Sequence, residues 1–532
     1  MKKLTCIACF LVSFFTGQAQ KPGAAIDVLH YDFAIFLNDA SDRIKGETTI
    51  QFTTLKEISV ANFDLSNLNS QGKGMQVGSV TKEKETIGFT HLNNSLAVRF
   101  PEKLSAGTNV TITISYSGIP ADGLIIGKNK YNHRGFFADH WPNRAHEWLP
   151  CVDHPADKAT VDFYVTAPEH YQVVANGIQT EETSLGDGNK LTRYTETVPL
   201  PTKVMVIGVA DFAVQLSGFV ECVPVYAWIY PEDKQKGFFD YGQATSILPF
   251  FIKNVGPYGY KKLANVQSKT RFGGLENASA IFYYENSVTG TQKTESLLAH
   301  EIAHQWFGNM ATEKEWAHIW LSEGFATYMT VLYMESAYGR DTAAKMLQQD
   351  RIQTIAFSKK LSKPIVDSSV TDYMQLLNAN SYQKAGWVLH MLKNHVGDSS
   401  FWRSVRTYYQ QYAGKNAHTE DIQKIFEETS GKNLSVFFKQ WFYTPGQPQL
   451  KVSYTYDAAK KLASFKLDQL QSSLFEFPIE IKIIGGAEDG TITKSIQVKD
   501  KQTSFSIPMT EPPSKIILDP NVKLLYEEVS RD

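Results

Sequence analysis

Along the first part of the chain, apolar and polar residues alternate in short runs broken by turns. Residues 30–37, 109–116 and 204–209 are examples, rich in β-branched and aromatic side chains. Period-two spacing closed by turn formers such as Asn38-Asp39 predicts strands, and residues 20–213 are expected to form an all-β domain. The texture changes after Ala213. Apolar residues fall at helical spacing over 236–254, and two substantial helices are expected between Thr294 and Gly339. Thr294 is placed to cap the first of these, with Glu295 near its positive end. Further helices are predicted over 341–357, 380–396, 401–412 and 419–430, making a helix-rich middle domain of residues 214–445. Thr444-Pro445-Gly446-Gln447-Pro448 is a turn-rich boundary. Beyond it, strand patterns return at 450–456, 477–484 and 515–518, so residues 446–532 are expected to form a small β-sandwich. The chain reads as a multidomain α+β protein without internal repeats.

Length and composition agree with this order. At 532 residues the chain is too long for one core. Its 42% hydrophobic and 20% charged residues, with a formal net charge of −2, are ordinary for a globular protein. No long basic run appears, so neither nucleic acid nor an anionic membrane is an expected partner. The N-terminus differs: Lys2 and Lys3 precede an apolar stretch over 4–15, and Gly17-Gln18-Ala19 offers small residues where a signal peptidase cuts. Residues 1–19 are therefore expected to be a signal peptide cleaved near Ala19, with the mature protein secreted or periplasmic. A membrane anchor is the alternative, but this stretch falls short of the roughly 20 residues that span a bilayer. No span is expected in the mature chain. Of the four cysteines, Cys6 and Cys9 leave with the signal peptide. Cys151 and Cys222 remain, as one disulfide or as two thiols.

The chemistry concentrates in His300-Glu301-Ile302-Ala303-His304 and in Glu323. Histidines four apart on a helix differ by about 40° around its axis and by one turn along it, so both can reach one ion. Zinc takes N, S and O ligands in a tetrahedron, and catalytic sites use three protein ligands with one open position. Glu323, on the next apolar-periodic segment, is the natural third ligand. Glu301 is then free to act as general base on water. Leu297, Leu298, Ile302, Trp306 and Phe307 make the surroundings apolar, where unpaired histidines and a glutamate would be costly. One Zn2+ per chain is expected. His140, His146, His154 and His318 lack ligand spacing to any partner and are read as core or surface residues.

These residues, with eighteen between His304 and Glu323, resemble the aminopeptidase N family of zinc metallopeptidases (gluzincins). Gly273-Gly274-Leu275-Glu276-Asn277 is similar to the family's Gly-x-Met-Glu-Asn loop, and Pro150-Cys151-Val152-Asp153-His154-Pro155 with Lys158-Ala159 to its N-terminal signature. Ser381-Tyr382-Gln383-Lys384 resembles its Tyr-x-Lys segment, and Trp441-Phe442-Tyr443-Thr444-Pro445-Gly446 the end of its catalytic domain. The resemblance implies an N-terminal β-saddle, a thermolysin-like catalytic domain and a small β-sandwich, in a short form without the C-terminal helical domain common in the family. It implies peptide substrates with a free N-terminus. Glu276 would hold the substrate's α-amine, the backbone of Gly273, Gly274, Leu275 and Asn277 would pair with the peptide like an added strand, and Tyr382 would donate to the oxyanion.

The chain departs from the family pattern in several places. Leu275 replaces the usual methionine, which is expected to reshape the first specificity pocket. Ser322 stands where asparagine is common, and Ala385 separates Lys384 from Gly386. Trp141 occupies the place of a second amine-binding residue, for which Asp139 or Asn143 is a candidate substitute. The competing readings are an epoxide-hydrolysing relative with the same metal and a non-catalytic peptide-binding scaffold. Such scaffolds lose ligands or base, and here both are present.

Overall fold

In the computed structural model, which describes residues 25–485 and 490–529, the strand Ile26–Phe36 sets the pattern for the N-terminal region. It buries Ile26 and Val28, then, after a bulge between Val28 and His30, Tyr31, Phe33 and Ile35. The extra residue shifts the alternation by one, so the apolar side chains stay on the core face on both sides of it. This strand lies inside an eight-stranded sheet, antiparallel to Ile44–Thr54 and parallel to Ala159–Pro168. Smaller sheets of four and three strands complete the region. The expected signal peptide lies outside the described residues.

A five-stranded sheet follows, with Val223–Ile229, Leu263–Ser268 and Ala280–Tyr284 parallel at its centre. All six residues of Leu263–Ser268 are buried, which suits a strand covered on both faces. One edge is the short strand Gly274–Leu275, antiparallel to Ala280–Tyr284. The helices are α1 (Lys234–Tyr241), α2 (Ala244–Asn254), α3 (Glu295–Ala303), α4 (Trp320–Tyr338), α5 (Arg340–Lys360), α6 (Ala385–Val396), α7 (Asp398–Tyr412), α8 (Thr419–Ser430) and α9 (Ser435–Phe442). The helical spacing over 236–254 is carried by two helices, parted at Gly242-Gln243, and the helix expected over 380–396 begins with a π-turn, Asn380–Lys384. Thr294 precedes α3 as expected, but its hydroxyl is buried and makes no capping bond.

The centre of this region is α4, buried along most of its length between α3, α5 and α6. A side chain at Gly324 of α4 would collide with Ala385, so a glycine is what lets the π-turn and α6 lie this close. The C-terminal strands form a four-stranded and a three-stranded sheet, which share one continuous core with the helices. Strands Leu462–Gln469, Thr491–Val498 and Gln502–Pro508 add to those read from sequence. The architecture is mixed α+β: a β-rich N-terminal region, a helical region behind a mixed sheet, and C-terminal strands. Among the described residues, no helix is long and apolar enough to cross a membrane. Cys151 is buried, Cys222 is exposed, and the two are not bonded to each other.

Candidate active site

Helix α3 carries His300 and Glu301, and His304 sits at its C-cap. The one-turn separation brings the two imidazole rings to 4.7 Å and their Nε2 atoms to 3.1 Å. Glu323, in the first turn of α4, places Oε2 3.2 Å from Nε2 of His304 and 3.6 Å from Nε2 of His300. Zinc with bonds of about 2.0–2.1 Å holds tetrahedral ligand atoms about 3.3 Å apart, and the observed separations fit that spacing. Nδ1 of His304 faces the Phe307 carbonyl and Ser322 Oγ, each at 3.1 Å, so its outer nitrogen is oriented by the protein and Nε2 points inward. Ser322 thereby has a place beside the third ligand. A Cβ at Gly308, which adopts a φ of +105°, would overlap it.

The charges explain why this set suits a cation. Glu301, Glu276 and Glu323 are all buried around the histidines. Burial pushes the Glu301 carboxyl well above the usual range, and the Glu276 and Glu323 carboxylates add to this against the opposing charge of His304. Burial also works against the charged forms of Glu323 and His304. It is outweighed by their mutual attraction, which holds Glu323 well below the ordinary carboxylate value and lifts His304 to about 9. Negative charge is crowded here in a low-dielectric pocket, a condition a divalent cation relieves.

Glu301 is not part of the ligand triad. Its carboxylate lies against Gly274, where a Cβ would overlap it. Glu276 follows the same edge strand, is 5% exposed, and its Oε1 has no partner among the described residues. Its carbonyl accepts bonds from Gln305 Nε2 at 3.0 Å and Asn309 Nδ2 at 2.7 Å, which tie the loop to the segment just after α3. Tyr382 projects from the π-turn and stacks on His300, with rings 6.1 Å apart. π-turns often mark positions where a helix is deformed to aim a side chain. Glu276, the triad, Glu301 and Tyr382 line one open cleft of about 660 Å³, with Phe272, Leu297 and Phe357 among its apolar walls.

The fold separates residues that the sequence puts side by side. Leu275 turns its side chain into the core and Asn277 is buried, and neither side chain is among those lining the cleft. Asp139 is no substitute amine partner. One oxygen pairs with Arg144, and the other accepts from Thr270 Oγ1 and the Arg271 amide, both at 3.1 Å. Trp141 is buried against Phe272 and Trp316. Gln305 and Asn309 went unread in the sequence, because amides that bond a loop carbonyl leave no periodic or charge signal. Lys158 was read only as part of a motif. It donates to the carbonyls of Asn309 at 3.2 Å and Met310 at 2.8 Å, and Lys203 forms a buried ion pair with Glu313 at 2.6 Å. His318, read as having no ligand partner, lies with His418 and Glu420 in a group whose ligand atoms fall within 4.8 Å. There, however, its Nδ1 is taken by Thr419 Oγ1 at 2.8 Å and Glu420 is bonded by the Tyr443 hydroxyl.

Comparison with known proteins places this arrangement. Residues 28–204 match the model of the peptidase M1 N-terminal domain, and residues 239–441 that of the peptidase family M1 domain. "Probable aminopeptidase 1" of Sulfurisphaera tokodaii is 23% identical over 471 residues, covering 85% of this chain and 57% of that protein. "Aminopeptidase M1-D" of Oryza sativa subsp. japonica is 26% identical, over 88% of this chain and 55% of its own length. "Leucyl aminopeptidase" of Saccharolobus solfataricus is 26% identical, over 86% and 59%. The chain thus spans somewhat more than half the length of these relatives. With two domain models of one family matched in order along it, the chain belongs to the aminopeptidase N (M1) family of peptidases.

Proposed function

We propose that this chain is an exported zinc aminopeptidase that removes single residues from the N-terminus of peptides. The observation that carries the reading is Glu276: a buried carboxylate whose Oε1 has no partner among the described residues, in the same cleft as the His300, His304 and Glu323 triad. An acid so placed needs a positive partner from outside the protein, and a peptide's protonated α-amine supplies one. The names of the relatives support the same reading, since each carries the word aminopeptidase.

His300, His304 and Glu323 would hold zinc, which when bound supplies Lewis acidity towards a carbonyl oxygen and towards water. Every other step belongs to the chain. The edge strand Gly274–Leu275 offers backbone groups to an extended peptide, and Glu276 fixes its amine, so one orientation is selected. Glu301 takes a proton from the attacking water and returns it to the leaving amine. The Tyr382 hydroxyl, kept protonated by burial and then by the Glu323 and Glu276 carboxylates, donates to the oxyanion as it develops.

A panel of aminoacyl-aminocoumarin substrates, with and without a strong zinc chelator, tests this. Hydrolysis should require zinc and a free amine, and N-acetylation should abolish it. Efficient cleavage of blocked peptides at internal bonds would make the protein an endopeptidase and remove Glu276 from its role. Export rests on residues 1–19, and N-terminal sequencing of the native protein should begin near Gln20. Retention of Met1 in a cytoplasmic protein contradicts it.

A further inference from the structure

The cleft is electrically lopsided. Glu276, Glu301 and Glu323 line it, and the only lysine or arginine among the described residues lining it is Lys360. Lys360 ends α5, and the cleft-facing positions of that helix are Gln353, Ala356, Phe357 and Lys360. The spacing of three, four and seven puts all four on one stripe, so the wall is continuous from Gln353 to the ammonium. Neighbouring lysines are already engaged: Lys359 pairs with Glu527 at 2.6 Å and Lys363 with Asp367 at 3.2 Å. Lys360 makes no ion pair or hydrogen bond among the described residues, and it is exposed to the cleft mouth.

We propose that Lys360 reads a carboxylate on the substrate a few residues beyond the bond being cut, which makes short peptides with a free C-terminus, or peptides with an acidic residue at that distance, the favoured substrate class. This rests on the peptidase reading given above. Seven residues of α5 measure about 10 Å along the wall, and an extended peptide advances about 3.3 Å per residue. A chain lying along this stripe therefore passes about three residues between Gln353 and Lys360. A short peptide carries opposite charges at its two termini, and the cleft carries the complementary pair in Glu276 and Lys360. The contact is solvent-exposed, so its effect is selective rather than large, about fivefold, and it acts on binding.

The test uses the zinc-loaded mature protein and a leucine-headed alanine tetrapeptide as its free acid, as its C-terminal amide, and as an amide with aspartate in last place. Leucyl-aminocoumarin, which has no such carboxylate, reports on the peptidase reading itself. Wild type should hydrolyse the free acid about fivefold better than the amide in kcat/KM, mostly through KM. Lys360→Ala should bring the ratio to about one, and Lys360→Arg should retain it. Recovery with the aspartyl amide assigns the preference to any carboxylate at that distance, and no recovery assigns it to the chain terminus; both keep Lys360 as the reader. Equal hydrolysis of acid and amide by wild type, or a preference that survives Lys360→Ala, overturns the proposal. If neither coumarin nor peptides turn over, the peptidase reading falls and takes this inference with it.

Discussion

Gly274 owes its identity to the residue across from it. A Cβ there would overlap the Glu301 carboxylate, so Gly274→Ala should displace the proposed general base while leaving the triad untouched. A shift of about 1 Å in a reacting group costs on the order of 10²-fold in turnover, with zinc content unchanged by metal analysis. A normal rate in Gly274→Ala would show that Glu301 acts elsewhere. Glu301→Gln and Tyr382→Phe should likewise keep zinc, the first nearly inactive and the second slower by about 10²–10³-fold. Glu323→Ala should lose the metal itself. The motif residues were legible in the sequence because holding one ion would force their spacing: an imidazole pair one turn apart has few other uses. Gln305 and Asn309 were not, since their bonds reach back to a loop carbonyl about thirty positions earlier. The direction of Leu275 was equally hidden, because a two-residue strand shows no alternation to read.

Among the elements, those with long, regular patterns were legible and those shaped by neighbours were not. The strands expected over 30–37 and 109–116 and the helices α7 and α8 lie where their periodicity predicts, whereas the strand expected over 204–209 begins only at Ile207, after the 3-10 turn Thr202–Val204. The break at Gly242-Gln243 and the π-turn carrying Tyr382 are set by packing against other elements, which a local pattern does not encode. The same holds for the one-turn helix Ala145–Glu147, anchored by His146 Nδ1 on Asp153 at 2.7 Å. Burial disfavours the His146 charge, but the bond to Asp153 and the charges of Asp153, Asp64 and Glu147 lift it to about 9. A histidine whose folded pKa is raised stabilises fully below its unfolded value, about 6.5. That contribution is lost as pH rises through about 9. The difference in urea midpoint between wild type and His146→Leu should therefore shrink between about pH 6.5 and 9. A difference that grows over this range would mean that His146 is neutral in the folded protein.

At the scale of the molecule, the C-terminal strands are welded to the helical region. Arg351 of α5 donates to Asp519 at 2.7 Å and to the Leu524 carbonyl at 2.6 Å, with its guanidinium between the Trp387 and Tyr526 rings. Arg351→Ala would leave Asp519 buried without its cation, a loss of about 3–5 kcal/mol. Because the core is continuous, activity and the spectroscopic signal of the sandwich should fall together on heating, at a lower temperature than in wild type. Separate transitions would show that the two regions are independent. The sequence marked this junction only as a turn-rich boundary, since contacts between Arg351 and residues far along the chain have no local trace. One small feature would govern what the proposed peptidase does to a peptide. The edge strand beside the metal triad is two residues long, and a strand's side chains reverse direction at every step. A peptide slipped by one position would turn the wrong groups inward and carry its amine past Glu276. On the proposed reading the cleft would work as a ruler with a single mark. Mass spectrometry of a long substrate should record a ladder that shortens by one residue at a time, with each product rebinding from zero.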